Sequence, residues 1–174
     1  MYDISVIGDV IMDFTPVLMS KGHLVYEPNV GGTAINLAAT VSKLGMNTLF
    51  TGKAGNDFMG KEGLNTLKEL GVDVSGYIIE DGQFTTHTFV TLREGERSFA
   101  LIRKGAADED LKLQDVNIEQ ILDTKMLYVT GMGFTRDPIR ETSFTLLKEA
   151  KKREIFTAID VNYRKVCGTA WMNS

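Results

Sequence analysis

Residues 30–60 read V-G-G-T-A-I-N-L-A-A-T-V-S-K-L-G-M-N-T-L-F-T-G-K-A-G-N-D-F-M-G. Apolar residues recur at helical spacing after the two glycines, and Gly45 stands where helices commonly end, so the pattern predicts a helix over 33–44. A short apolar strand over 48–51 and a glycine-bearing turn over 52–60 follow. Asp57 in that turn is a good N-cap for the next helix, although its carboxylate could serve a ligand instead.

Three polar features of this stretch indicate a ligand site. Gly31 and Gly32 let the backbone approach a ligand at a helix N-terminus, where free N–H groups and the helix dipole favour oxygen-rich molecules. Asn36 is a poor helix former placed among apolar neighbours. Backbone N–H groups and an amide together suit a polyol. An ordinary turn followed by a solvated asparagine is the competing interpretation.

The spacing of these residues resembles a known signature. Residues 31–38 follow G-G-x-A-x-N-x-A, and Gly45 and Gly55 come after six and nine further residues. This resembles the amino-terminal motif of the PfkB family of ribokinase-like carbohydrate kinases, and within it the chain is most similar to fructokinases and 2-keto-3-deoxygluconate kinases. The resemblance implies that residues 1–174 are the N-terminal portion of a ribokinase-like domain whose activity is ATP-dependent phosphorylation of a sugar hydroxyl.

Composition and charge exclude several other classes. The 174-residue chain has a net charge of −4 and no basic block, which argues against nucleic acid as a partner. It has no apolar run of the about 18 residues that a membrane span needs. The start lacks a signal-peptide pattern, and the single cysteine, Cys167, cannot form an internal disulfide. We therefore expect a cytoplasmic protein without a membrane partner.

The first strand leads to two aspartates. Residues 4–7 read as a buried strand that ends at Gly8, and Asp9 and Asp13 are four apart, so on one extended strand they share a face. They could simply be edge-strand charges. The family resemblance implies that Asp13 binds sugar hydroxyls, for which a carboxylate provides charge-assisted hydrogen bonds, and it leaves Asp9 as a weaker candidate.

Two β-rich segments are expected to stand apart from the main sheet. Residues 16–29 contain a plausible turn at Lys21-Gly22, and strong β formers over 85–103 surround a hairpin tip at 94–96. The resemblance implies that segments 10–30 and 85–103 form a small β-sheet lid, through which a homodimer is expected. Arg103 opens R-K-G-A-A-D, whose arginine reaches a sugar acid in the family; a solvated strand end is the equal alternative.

The last third of the chain repeats the strand–helix pattern. A strand over 126–129 precedes Gly131-Met132-Gly133, a partial dinucleotide-binding motif that lacks its third glycine because Arg136 stands there. Asp137 is expected to cap a helix over 138–153 whose apolar stripe is Ile139, Phe144, Leu147 and Ala150.

A final strand over 155–159 ends in D-V-N-Y-R. This resembles the D-x-N-x-R of fructokinase-like members, which implies that Asn162 lies towards phosphate transfer and Arg164 towards the substrate.

Strands at 4–7, 48–51, 126–129 and 155–159 with helices between them predict an α/β fold with a doubly wound, mainly parallel and incomplete sheet. The resemblance implies ATP and Mg²⁺ as cofactors. The family's general-base motif, G-A-G-D, does not occur here, so we expect neither a catalytic base nor a metal site in this chain and no turnover by it alone. A non-catalytic sugar-binding or regulatory module is the alternative.

Overall fold

The computed structural model of the protein describes residues 1–18, 24–93 and 96–162. Between its strands and helices lie short 3₁₀ turns, which occur at Ala107–Asp110, Leu113–Asp115 and Gly131–Phe134. The strands are β1 (Tyr2–Ile7), β2 (Ile11–Leu18), β3 (Leu24–Gly31), β4 (Thr48–Gly55), β5 (Asp73–Glu80), β6 (Thr86–Arg93), β7 (Glu96–Ile102), β8 (Thr124–Thr130) and β9 (Phe156–Asp160), and the helices are α1 (Thr33–Lys43), α2 (Phe58–Glu69), α3 (Ile118–Leu122) and α4 (Ile139–Lys152).

The larger sheet has five parallel strands in the order β5-β4-β1-β8-β9. Its central strand, β1, places Ile4 beside Thr48 on one side and beside Met126 on the other. The parallel sheet predicted from the apolar runs is therefore confirmed. The structure adds β5 as an edge strand, which the sequence did not assign to this sheet.

Helices cover both faces of this sheet because its strands are apolar on both sides. On one face, α1 and α2 pack against Val6 and Phe50 through Ala34, Ala38 and Leu67. On the other face, Ile7 and Leu127 pack with residues of α3 and α4. Consecutive residues of β4, Leu49 and Phe50, face opposite layers and are both fully buried. The doubly wound architecture follows from these two cores.

Two helix ends agree with the sequence and one does not. α1 ends as predicted, and Gly45 has a φ of 88°. The Asp57 carboxylate caps α2 by accepting from the Gly60 N–H at 2.8 Å. At α4 the expected Asp137 cap is wrong: Pro138 occupies the N-cap position without a side-chain cap, and Asp137 binds the Arg140 guanidinium.

The expected apolar stripe of α4 is only half right. Ile139 and Ala150 are buried as predicted, but Phe144 is 45% exposed and Leu147 only partly buried. Leu146 takes the central core position. Phe144 instead contacts Phe134, with ring centroids 5.2 Å apart.

The smaller sheet has four strands in the order β3-β2-β6-β7. β2 pairs antiparallel with β3 and parallel with β6, and β6 forms the predicted hairpin with β7. The segments expected at 10–30 and 85–103 thus form one separate sheet. The Lys21-Gly22 turn and the centre of the hairpin tip, Glu94-Gly95, lie outside the described residues.

Among the described residues, no helix combines the length and the apolar character that crossing a membrane requires.

Candidate functional site

A cavity of about 410 Å³ lies where the carboxyl ends of the parallel strands meet the smaller sheet. Its wall combines residues that follow β1, β8 and β9, the first turns of α1, and one face of the smaller sheet. The lining residues are Asp9, Ile11, Asp13, Gly32, Thr33, Asn36, Thr88, Phe99, Leu101, Met132 and Asn162.

The glycine pair fits the backbone closely around both aspartates. Gly32 is the N-cap of α1 and has a φ of 98°, a conformation that side-chain-bearing residues rarely adopt. A Cβ atom at this position would lie 2.7 Å from Oδ2 of Asp9. A Cβ at Gly31 would collide with the Asp13 carboxylate. Gly32 lines the cavity, whereas Gly31 lies behind it and leaves room for Asp13.

Asp9 is the most buried polar group of the cavity wall, with 2% of its surface exposed. Its Oδ1 accepts a hydrogen bond from the Thr130 hydroxyl at 2.8 Å, while Oδ2 has no hydrogen-bond partner among the described residues. Asp9 and Asp13 do not share one strand as expected, because β1 ends at Ile7 and β2 begins at Ile11. They nevertheless line the same cavity from two directions.

One face of the smaller sheet lines the cavity with both polar and apolar side chains. Asp13 on β2 pairs with Thr88 on β6, which in turn pairs with Leu101 on β7, so all three project to the same side. The opposite side of the sheet carries aromatic rings. There the Phe14 and Phe89 rings stack with centroids 4.9 Å apart, and His87 makes an edge contact with Phe89.

Asn36 and Asn162 bring two distant sequence motifs together. Asn36 lies on the exposed side of α1 and lines the cavity. Asn162 follows β9, and its side-chain amide donates to the Thr33 hydroxyl at 2.7 Å. The D-V-N segment therefore meets the N-terminus of α1, so amide donors and acceptors stand beside the two carboxylates.

Arg103 is buried and bound within the protein. Only 7% of the residue is exposed, so the solvated strand end considered above is wrong. Its guanidinium donates to Asp108 at 2.8 Å, to the Thr135 hydroxyl at 2.6 Å and to the Met132 carbonyl at 3.0 Å. Burial acts to lower the pKa of Arg103, but the neighbouring Asp108 outweighs it and raises the pKa. Burial also raises the pKa of Asp108 despite the arginine.

These contacts place Arg103 behind the cavity wall. It is absent from the lining residues, while Met132, whose carbonyl it binds, is one of them. Arg103 therefore connects the end of β7 to the segment after β8. Arg164 lies outside the described residues.

The Gly131-Met132-Gly133 segment has a packing explanation. A Cβ atom at Gly131 would collide with the Val161 carbonyl, and one at Gly133 would lie 2.8 Å from the Ser143 hydroxyl. Close approach of β9 and α4 therefore accounts for both glycines without a dinucleotide.

The sequence did not identify Thr88 and Met132 as cavity residues, and it ranked Asp9 below Asp13 although Asp9 is the more buried of the two in the cavity wall. Thr88 belongs to a run of β formers, and only the register between β2 and β6 identifies it as a neighbour of Asp13. The one available signal for Asp9 was its position directly after the first strand, at the carboxyl edge where open α/β sheets bind ligands.

Comparisons with known proteins agree with this fold. A 5-dehydro-2-deoxygluconokinase from Clostridium botulinum is 30% identical over 169 residues, which are 94% of this chain and 50% of that protein. A probable fructokinase-3 from Arabidopsis thaliana is 32% identical over 163 residues, 91% of this chain and 47% of that protein. The chain thus spans about half the length of the curated relatives it matches.

A solved sugar kinase from Pyrococcus horikoshii in complex with ATP superposes with a TM-score of 0.84 at 29% identity, covering 92% of this chain and 53% of that one. The family model described as "pfkB family carbohydrate kinase" matches residues 1–169. Because that match takes in nearly the whole chain, the protein belongs to the pfkB family of carbohydrate kinases.

Proposed function

We propose that the protein takes part in ATP-dependent phosphorylation of a sugar hydroxyl, with this chain supplying the sugar-binding part. The observation that carries the proposal is the meeting of Asp13, Asn36 and Asn162 in one cavity. These residues come from three separate stretches that match the family's motifs, and they converge at the carboxyl edge of the sheet. Fructose and a gluconate derivative are the two substrates that the relatives' names suggest.

The cavity residues would bind and orient the sugar. The Asp13 carboxylate accepts hydrogen bonds from sugar hydroxyls, and the Asn36 amide supplies both a donor and an acceptor. We assign Asn162, whose side-chain amide donates to the Thr33 hydroxyl, to the phosphate-transfer side of the cavity, as the resemblance of D-V-N-Y-R implies. Apolar Leu101 and Phe99 line the side formed by the smaller sheet, which acts as the lid and excludes water from the reacting hydroxyl.

ATP and Mg²⁺ are proposed as the donor and its metal ion, because phosphoryl transfer in kinases uses the metal to neutralise phosphate charge. Among the described residues, no group of three or more His, Cys, Asp or Glu side chains is placed to hold a metal ion. The sequence also has no G-x-x-x-x-G-K-[ST] loop and no G-A-G-D motif. We therefore assign neither a nucleotide-binding loop nor the general base to the described residues.

We further propose a homodimer formed through the lid, in a cytoplasmic protein. Leu24, Val25 and Ile102 of the smaller sheet are 59%, 43% and 42% exposed, which leaves apolar surface for a second copy. Sedimentation velocity tests the dimer: we expect two copies in wild type and one in a Leu24→Lys, Val25→Lys variant.

A non-catalytic sugar-binding module is the second candidate, favoured by the absence of the G-A-G-D motif from the sequence. Both candidates require sugar binding, and only the first requires turnover by the protein that the source gene encodes.

The experiment combines calorimetry with a coupled assay of ADP release. We expect the 174-residue chain to bind a sugar saturably without turnover, and Asp13→Asn to weaken binding about tenfold, because a charge-assisted hydrogen bond contributes roughly 1.5–3 kcal/mol. Exposed Glu62→Gln on α2 is the matched control and should leave binding unchanged. Turnover by the protein that the source gene encodes supports the kinase, and its absence with sugar binding retained favours the module. Turnover by the 174 residues alone refutes the view that they lack the general base.

A further inference from the structure

The charged residues that the structure describes in the cavity wall are all acidic. Asp9 and Asp13 line it, and none of the described lining residues is Lys, Arg or His. The nearest guanidinium, that of Arg103, donates to Asp108 at 2.8 Å and lies 3.9 Å from Glu109, and Asp9 interacts with it at longer range. Glu109 also binds the Arg136 guanidinium at 3.0 Å, so both of these guanidinium groups are engaged in ion pairs with carboxylates behind the cavity wall. The charge that the described lining residues present to a ligand is therefore negative.

The Oδ2 atom of Asp9 is buried without a hydrogen-bond donor among the described residues. Oδ2 is buried at the cavity wall and accepts from no described residue, and an unpartnered buried carboxylate oxygen is costly. The Thr130 hydroxyl holds the other oxygen, which fixes the orientation of the carboxylate. A ligand hydroxyl can donate to Oδ2, whereas an ionised ligand carboxylate only accepts hydrogen bonds and is repelled by the like charge.

We propose that the cavity selects a neutral polyhydroxy sugar over a sugar acid, with Asp9 accepting one ligand hydroxyl and Asp13 another. This inference rests on the proposed function and chooses between its two substrate classes. The relatives' names point both ways, since fructose is uncharged and a gluconate derivative carries a carboxylate. The two carboxylates of the cavity favour the uncharged class.

Calorimetry on the full chain at pH 7.5 tests the choice with D-fructose and 2-keto-3-deoxygluconate as probes. We expect fructose to bind at least tenfold more tightly. Equal or tighter binding of the sugar acid overturns the proposal, and this comparison in wild type does not depend on any variant folding.

The variant Asp9→Asn sharpens the test. It removes one negative charge and replaces one acceptor oxygen of the carboxylate with an amide NH₂ group. Fructose should therefore bind at least tenfold more weakly, and the ratio of fructose affinity to sugar-acid affinity should become smaller. Glu27→Gln is the control, because it neutralises an exposed carboxylate on β3, and it should change neither the fructose affinity nor the sugar-acid affinity. Unchanged fructose affinity in a folded Asp9→Asn variant overturns the assignment of Asp9.

ADP release by the protein that the source gene encodes distinguishes failure of this inference from failure of the proposed function. Phosphorylation of the sugar acid in preference to fructose overturns this inference and leaves the kinase intact. Failure of both sugars to bind or react removes the proposed function together with the inference.

Discussion

The two sheets build one cavity from opposite kinds of structure. The five-stranded sheet is enclosed by helices, and Val6, Phe50 and Leu127 at its centre are fully buried. The four-stranded sheet keeps much of its surface open, and Leu24 is 59% exposed. Asp9 follows β1 of the five-stranded sheet, and Asp13 lies on β2 of the four-stranded sheet. The larger sheet therefore holds most of the buried apolar residues, while both sheets contribute residues to the cavity wall.

The largest effect is expected in the centre of the five-stranded sheet. Phe50 contacts Tyr77, with ring centroids 5.7 Å apart, and a Phe50→Ala change leaves a cavity that costs about 4 kcal/mol of unfolding free energy. Urea unfolding followed by circular dichroism measures the change. Phe58→Ala is the control: that ring is 62% exposed, so a loss below about 0.5 kcal/mol is expected. Similar losses in both variants would contradict the central role of this sheet.

The junction between the sheets should show the next largest effect. Arg103→Ala leaves the fully buried Asp108 without its cation, which costs about 3 kcal/mol at neutral pH. The loss should shrink in acid. Burial already raises the pKa of Asp108, and without Arg103 it rises further, so the native variant binds a proton that its unfolded state releases and gains stability as pH falls through that pKa.

Chemical unfolding of Arg103→Ala and wild type at several pH values measures this difference. The control is Arg140→Ala, which removes an ion pair with Asp137 whose partners are both more than 40% exposed and should cost under about 1 kcal/mol. A deficit in Arg103→Ala that stays constant from neutral to acid pH would show that lost packing, and not the charge of Asp108, dominates.

The features that the sequence could predict are those set by local sequence patterns. The strands of the larger sheet are continuous apolar runs, so β1, β4 and β8 were recognisable without knowledge of their neighbours. The end of α1 was likewise predictable, because Gly45 adopts the positive φ that a helix terminus commonly needs. These signals are local, and local signals are readable from a sequence.

Non-local contacts were not predictable in the same way. Asp108 and Thr135 determine the burial of Arg103, and nothing in the sequence near residue 103 reveals Thr135 as a partner. On α4 the sequence did not reveal that Leu146 occupies the core while Phe144 contacts Phe134 at the surface, because Phe134 lies on a separate segment. Thr88 became a site residue only through the register of β6 against β2.

Two neighbouring residues of β6, Thr88 and Phe89, lie on opposite faces of the smaller sheet and separate ligand contact from packing. Phe89 stacks on Phe14 away from the cavity, so Phe89→Ala should cost about 2 kcal/mol of stability and leave sugar affinity within about threefold of wild type. Thr88 lines the cavity, and its buried hydroxyl has no partner among the described residues. Thr88→Val should therefore change stability by less than about 1 kcal/mol and weaken sugar binding several-fold.

Thermal unfolding and calorimetry on the two variants provide the measurements. The expected result is a crossed pattern, with stability lost in Phe89→Ala and affinity lost in Thr88→Val. Loss of both properties in either folded variant would show that the two faces of the smaller sheet are coupled.

The smallest expected effect concerns the segment that returns from the smaller sheet to the larger one. Lys53 of β4 is 3% exposed and binds Asp115 at 2.6 Å, which ties residues 110–115 to the larger sheet. Burial acts to raise the pKa of Asp115, but the hydrogen bond from Lys53 outweighs it and the pKa lies below its usual value. Asp115→Asn should cost about 1 kcal/mol at pH 7, where the wild-type carboxylate is ionised.

The pH dependence of that loss identifies its origin. Because the pKa of Asp115 is lower in the folded protein than in the unfolded chain, the stabilisation is complete above about pH 5 and disappears as pH falls through the folded pKa. Urea unfolding of wild type and Asp115→Asn from pH 7 to pH 2.5 should therefore give curves that converge in acid. The exposed-surface control Glu62→Gln should run parallel to wild type throughout. If the Asp115→Asn deficit persists at the lowest pH, the carboxylate acts through packing and the tie to Lys53 is not electrostatic.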